Sequence, residues 1–220
     1  MNKVQIKNCT LYHADCIDVL DEIGKIDVVI TDPPYGINMD KGFNGFNGFN
    51  GFGKPIFRNK YNGKWDTVRP SSKIFNLLLS ISKISIIFGG NFFTDILPQG
   101  NHWIVWNKKN TMPTFGDAEL IWTNIKRNSV KIVEYQYNGL MNKAEKRYHP
   151  TQKPQYVMRW IIDKYTKETD LILDPFMGSG STGVACAIGG RKFIGIEKEK
   201  QYFDIACKRI RWACRQNKLF

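Results

Sequence analysis

The sequence predicts an α/β fold on a mostly parallel central sheet, held in a single domain over residues 1–220. Three observations carry this. The run Ile26–Ile30 is short, largely β-branched and stops at Asp32-Pro33-Pro34, as a buried parallel strand does. A second such run, Leu171–Asp174, feeds a glycine turn around Gly178 and Gly180 and then a helix. Strand and helix patterns alternate early in the chain, and later it becomes more strand-rich.

Residues 3–13 alternate apolar and polar and predict one or two short strands ending near His13. Asp15 then precedes a short amphipathic helix, Cys16–Leu20, that it is placed to cap. The strand Ile26–Ile30 leads into Thr31-Asp32-Pro33-Pro34-Tyr35-Gly36. Two consecutive prolines continue neither a ladder nor a helix, so an acid, a carbonyl and an aromatic ring are fixed at the strand's carboxyl edge. In open α/β sheets that edge binds ligands. A carboxylate and a neighbouring carbonyl can accept both hydrogens of a flat amino group while a tyrosine stacks on its heterocycle. The plainer reading is a strand-terminating turn with a surface tyrosine.

Residues 37–66 contain the repeat Gly42–Gly53, whose Phe-Asn-Gly period fits neither helix nor strand, and predict a long mobile loop. Its rings could stack on bases, and Lys41, Lys54, Arg58, Lys60 and Lys64 could meet phosphates. A repeat expansion in a tolerant loop is the simpler account of the repeat itself. Next, Ile74, Leu77, Leu78 and Ile81 mark a helix within 71–83, followed by strands at 84–88, 102–106 and 118–122. Residues 129–137 are expected to form a hairpin arm with the last of these. Trp103, Trp106 and Trp122 read as core residues. Pro154 opens a helix to about Glu168, with Val157, Trp160, Ile161 and Tyr165 on its apolar face. Lys192–Glu197 is a strand with an acid at its tip. The helix over 199–215 turns Tyr202, Phe203, Ile205, Ala206 and Ile210 inward and leaves Lys208, Arg209, Arg211 and Arg215 to solvent.

Lys and Arg number 32 against 20 Asp and Glu, a net charge of +12 that favours a polyanionic partner, nucleic acid before membrane. Five cysteines without a CxxC pair argue against zinc and against a disulfide framework, and suit a reducing cytoplasm. No metal site is expected. Met1–Ile6 has no apolar signal core and no apolar run reaches membrane-spanning length, so a cytoplasmic protein is expected.

Gly178, Gly180 and Gly183 fit G-x-G-x-x-G, with Glu197 where an acid would meet a ribose, so a nicotinamide enzyme competes. Residues 198–220 are expected to be too few for the remaining strands of such a fold. The glycine turn also follows the Asp-Pro-Pro-Tyr turn, the reverse of a nucleotide fold. A circular permutation accounts for that order. The strand ending at Glu197 is then followed, through the last helix, by the element that begins this chain. The strands ending at Asp174 and Asp32 become central neighbours.

Three motifs, Asp32-Pro33-Pro34-Tyr35, His149-Pro150-Thr151-Gln152-Lys153-Pro154 and Asp174-Pro175-Phe176-Met177-Gly178-Ser179-Gly180-Ser181-Thr182, together resemble the beta (permuted) class of amino-group DNA methyltransferases. The resemblance implies a circularly permuted Rossmann-like methyltransferase fold, S-adenosylmethionine as cofactor and DNA as partner. It implies catalysis at Asp32, Pro33, Pro34 and Tyr35, on a base flipped out of the duplex and stacked on Tyr35. The cofactor pocket it implies is Asp15, Cys16, Asp32, Thr151, Lys153, Asp174, Pro175, Phe176, Gly178, Gly180, Ser181, Thr182 and Glu197, with His149 beside them. It puts target recognition within about 107–148. Asp rather than Ser in the first motif position favours adenine N6 over cytosine N4, and the chain has no Pro-Cys dipeptide for carbon methylation. Alternatives are an RNA or protein amino-methyltransferase with the same pocket, or a silent DNA-binding module, against which the intact tetrapeptide speaks. A cognate restriction endonuclease, and a monomer or homodimer, complete the expectation.

Overall fold

The run Ile26–Thr31 forms a strand whose Val28, Val29 and Ile30 are sealed from solvent on both faces. A strand buried on both sides belongs in the middle of a sheet with helices above and below. The computed structural model, which describes residues 1–38, 46–49, 55–57, 66–109, 116–136, 146–149 and 151–216, puts it there. The strands are β1 (Asn2–Ile6), β2 (Cys9–His13), β3 (Ile26–Thr31), β4 (Phe46–Phe49), β5 (Pro55–Phe57), β6 (Ser82–Phe88), β7 (His102–Asn107), β8 (Ala118–Thr123), β9 (Ser129–Glu134), β10 (Leu171–Asp174) and β11 (Lys192–Glu197). Among the described residues nine of them make one sheet, ordered β1-β2-β11-β10-β3-β6-β8-β7-β9. The strands from β2 to β6 in that order run parallel.

The permutation is visible in two pairings. β11 lies parallel to β2, matching Glu197 with His13, and β10 lies parallel to β3, matching Leu173 with Val29. Asp174 and Asp32 therefore emerge side by side at one edge, although 142 positions separate them in the chain.

Among the described residues the α-helices are α1 (Ile17–Leu20), α2 (Ser72–Ile81), α3 (Gln155–Tyr165), α4 (Ser181–Ile188) and α5 (Lys200–Gln216). On one face Val157 and Ile161 of α3, Ala185 of α4 and Phe203, Ala206 and Ile210 of α5 pack on Val28, Ile30, Ile172 and Phe193. On the other, Val19 and Leu20 of α1 and Leu78 of α2 pack on Val29, Leu173 and Ile196. Each fully buried Val, Leu or Ile contributes about 1.5–3 kcal/mol, so two such layers clamp the strand ends firmly. No helix among the described residues is long and apolar enough to cross a membrane. All five cysteines are buried free thiols, and burial pushes those of Cys9 and Cys16 up to about 12.

Several expectations need correction. β9 does not pair with β8. Both edges of β8 are taken, by β6 and β7, so the arm instead adds to the outer edge of β7, in parallel. The backbone of β4 within the phenylalanine repeat pairs antiparallel with β5. Ladder pairing needs only extended backbone groups, so the repeat's odd side-chain period does not forbid it. Residues 39–45, 50–54 and 58–65 of the predicted 37–66 loop, and parts of 107–148, lie outside the described residues. α3 ends at Tyr165, because Thr166 turns extended and its hydroxyl donates to the Ile162 carbonyl at 2.8 Å. The cap position of α1 is occupied by Cys16, and Asp15 sits one residue earlier, accepting the Ile17 N–H at 3.2 Å.

Candidate active site

The carboxyl edges of β3, β10 and β11 open onto a cavity of about 320 Å³. Every site residue named from the sequence lines it, His149 included, with one exception. Gly180 faces the other way. Its φ is +85°, and a Cβ there would stand 2.9 Å from Ala206 Cβ, so it lets α4 close onto α5 and does not wall the cavity.

At one end lies Asp32. Its Oδ1 accepts the Tyr35 hydroxyl at 2.6 Å and its Oδ2 accepts the Lys153 ammonium at 2.7 Å. Lys153, only 7% exposed, also lies 3.3 Å from Glu119, which in turn pairs with Lys108 at 2.7 Å. Burial raises the Asp32 carboxyl above the ordinary aspartate range, opposed by Lys153 and assisted by Glu119. Burial also works against the Lys153 ammonium, yet the two anions beside it carry its pKa above the ordinary lysine value. Tyr35 is kept protonated by burial and by Asp32, so its hydroxyl is a donor.

The Tyr35 ring is tightly placed. It stacks on Phe92 with centroids 4.7 Å apart and meets Phe93 edge-on. Gly89, at φ +64°, lies under it, and a Cβ there would come within 2.3 Å of the ring. Below the ring, the buried Asp66 carboxylate accepts the Tyr35 and Gly36 N–H groups at 2.6 and 2.9 Å, fixing the turn after the prolines. Asp66 falls at the end of the predicted 37–66 loop, where no local pattern marks it. Phe92, Glu119 and Lys108 were likewise not singled out.

The other end is acidic, with Lys198 next to Glu197 on its wall. Asp174 accepts the hydroxyls of Thr31 at 2.8 Å and Thr182 at 2.6 Å, and the Phe176 N–H at 3.1 Å. Burial raises it to about 6. Glu197 accepts the N–H groups of Gly178 and Glu199, both at 2.8 Å, and burial raises it to about 7. Neither acid has an ion-pair partner among the described residues. The buried Ser181 hydroxyl on the wall has no hydrogen-bond partner there either. His149 shares a hydrogen bond with Thr151 at 3.1 Å and packs edge-on against Tyr202; burial first, then Lys153 and Arg147, lowers it to about 3, so the ring is neutral. Arg209, expected on the solvated face of α5, turns inward and donates to the Ser179 carbonyl at 2.6 Å, bracing the glycine turn.

Residues 117–208 match the family model described as DNA methylase. The chain is 30% identical to the Type II methyltransferase M2.LlaDCHI of Lactococcus lactis subsp. cremoris, over 93% of this chain and 90% of that protein. It is also 30% identical to the Type II methyltransferase M2.MboI of Moraxella bovis, over 92% and 88%. The chain belongs to the N6-adenine/N4-cytosine DNA methyltransferase family. The crystal structure of an M1.HpyAVI–SAM complex superposes with a TM-score of 0.61 at 26% identity, covering 92% of this chain and 98% of that one. The protein is thus a DNA methyltransferase that uses S-adenosylmethionine, on the permuted sheet described above. The cavity suits that cofactor: an unpartnered buried hydroxyl and two unneutralised acids can receive a ligand bearing hydroxyls, an amine and a sulfonium charge.

Proposed function

We propose that this methyltransferase acts on adenine N6 in a specific DNA sequence, with Asp32, Pro33, Pro34 and Tyr35 forming the amine site. The observation that carries the reading is an Asp at the head of the tetrapeptide, half-buried at the cavity end and framed by Tyr35 and Lys153. S-adenosylmethionine, when bound, supplies an electrophilic methyl group. Glu197, Asp174, Ser181 and the Gly178 turn would hold it, with Asp15, Cys16, Phe176 and Thr151 on the walls. The remaining chemistry is positioning. An aromatic amine is a poor nucleophile because its lone pair is delocalised. Hydrogen bonds to the Asp32 carboxylate and the Pro33 carbonyl would favour a pyramidal nitrogen whose lone pair is directed across the cavity. A paired base is out of reach, so the target leaves the duplex and stacks on the Tyr35 ring.

Lys153 belongs with this amine site more than with the cofactor end, since its short bond is to Asp32. We place recognition within 107–148 together with the 37–66 loop, in one domain. The net charge of +12 supports phosphate contact by such segments. A restriction endonuclease of the same specificity is the partner we propose in the cytoplasm, with the enzyme acting as monomer or homodimer.

The test is direct. The purified protein is incubated with unmethylated mixed-sequence duplex DNA and methyl-labelled S-adenosylmethionine, and the DNA is digested for mass spectrometry of nucleosides. Label in N6-methyladenine is expected. Label in N4-methylcytosine would keep the site and correct the base, and label in neither would overturn the proposal.

A further inference from the structure

Both oxygens of the amine-site carboxylate already hold a protein donor, Tyr35 on one and Lys153 on the other, so an incoming amine competes with them for Asp32. Lys153 has somewhere to go. Glu119 Oε1 is taken by Lys108 at 2.7 Å, whereas Oε2 lies 3.3 Å from the Lys153 nitrogen, has no solvent contact and receives no hydrogen bond of ordinary geometry among the described residues. A buried acceptor left short beside a buried donor is costly unless the donor reaches it in another state.

We propose that Glu119 is a positioning residue for methyl transfer, a second station to which Lys153 moves when the target amine claims Asp32, and the outlet for the proton the amine loses. The inference rests on the amine-site reading above. The four charges run in line, Asp32, Lys153, Glu119 and Lys108, from the buried turn after β3 to the ends of β8 and β7, where Glu119 and Lys108 are about one-fifth exposed. Tyr35, with Asp66 behind it, His149 and Asp174 are other titratable groups facing this row.

The balance is as follows. The amine nitrogen gains the methyl carbon and sheds one proton, while the old carbon–sulfur pair stays on sulfur, leaving a neutral thioether. The proton passes to Asp32 Oδ2. At that station Lys153 gives one of its protons to Glu119 Oε2, and as a neutral amine it then swings back to take the proton from Asp32, ending as an ammonium again. Glu119 then releases the proton to water beside Lys108. Burial and the cation beside each acid set the two carboxylates apart, Asp32 raised and Glu119 lowered below the ordinary range by its two lysines.

The test uses the full chain and single-turnover transfer to cognate duplex DNA across pH, with cofactor affinity by calorimetry and melting temperature alongside. Glu119→Gln keeps the shape and removes the station. It should slow transfer about 10²-fold. Its acid limb should move to lower pH, since Asp32 loses the anion that raises it, while cofactor affinity stays within about threefold. Lys108→Met should shift the acid limb the opposite way, upward, because Glu119 loses the cation that keeps it ionised; this variant also serves if Glu119→Gln does not fold. Opposite shifts support the proposal. An unchanged rate and limb in either soluble variant, or a rate loss with no limb shift, overturns it. Wild-type protein that labels no DNA amine overturns the parent reading and this one with it.

Discussion

Asp32 and Asp174 leave the ends of neighbouring strands into one cavity, yet one is held by an ammonium group and the other by two hydroxyls and a backbone N–H. Both are buried acids raised above the ordinary range, with desolvation as the leading cause. The difference lies in what compensates them. At the Asp32 end the protein brings its own cation, in a row of two acids and two lysines that is neutral overall. At the Asp174–Glu197 end the hydrogen-bond partners of both acids are hydroxyls and backbone N–H groups, and no ion pair reaches either acid among the described residues. The proposed placement follows this contrast, with the cofactor toward Glu197 and the target amine at Asp32. The two ends touch through one bond, from the Thr31 hydroxyl on β3 to Asp174 on β10.

The sharpest way to break this comparison is Lys153→Met. It strips the only cation in contact with Asp32 among the described residues and leaves Glu119 with one partner. Removing one member of a buried charge pair costs about 3–5 kcal/mol, which urea unfolding at pH 7 would read, and transfer should be lost with it. A loss no larger than that of a single hydroxyl at the other end would mean the ammonium is not what holds Asp32.

The next effect is a pH dependence. Folded Glu197 keeps its proton up to about 7, while the unfolded chain releases it near 4.5. Between those values the folded state binds more protons, so stability is fully present below about 4.5 and is lost as pH rises through 7. The expected change is on the order of 3 kcal/mol. Unfolding midpoints from pH 5 to 8 should fall accordingly in the cofactor-free protein, and Glu197→Gln should flatten the curve. Affinity for S-adenosylmethionine should strengthen over the same range, since ionised Glu197 is the form that attracts a cation. An apo curve that rises toward pH 8 would remove the contrast between the two ends. The smallest effect is Thr182→Val, which deletes one hydroxyl from Asp174. It should cost about 1 kcal/mol and weaken cofactor binding modestly, leaving the Asp32 row untouched.

How much of this was legible in the sequence follows from how local each signal is. The Asp-Pro-Pro-Tyr turn and the glycine turn announce themselves within a few residues, because proline and glycine restrict or free the backbone where they stand. The permuted neighbours, β10 beside β3, were legible because the reversed order of the two turns calls for a circularly permuted sheet, as the family resemblance implies. The pairing of β9 was not, since it depends on which edge of β7 and β8 is free, a property of the assembled sheet. Lys153 could be named as a cavity residue, but its bond to Asp32 spans 121 positions and no spacing rule reaches that far. Glu119 sits in a strand between two exposed residues and reads as a solvated face. Asp66 ends a polar, glycine-rich stretch and reads as loop, although its carboxylate organises the turn on which Tyr35 stands.

The buried cysteines give this fold an internal clock. Cys9 lies on β2, Cys16 beside the cavity, Cys186 in α4 and Cys207 and Cys214 in α5, so the thiols sample the sheet and the helix layer that carries the glycine turn. Alkylating reagents attack thiolates, and groups pushed to about 12 have almost none at neutral pH. While the layers stay closed, iodoacetamide finds little to modify. Cys9 on β2 and Cys16 beside α1 thus become reactive when their own part of the sheet opens, so the order in which they are capped traces the order in which those layers part.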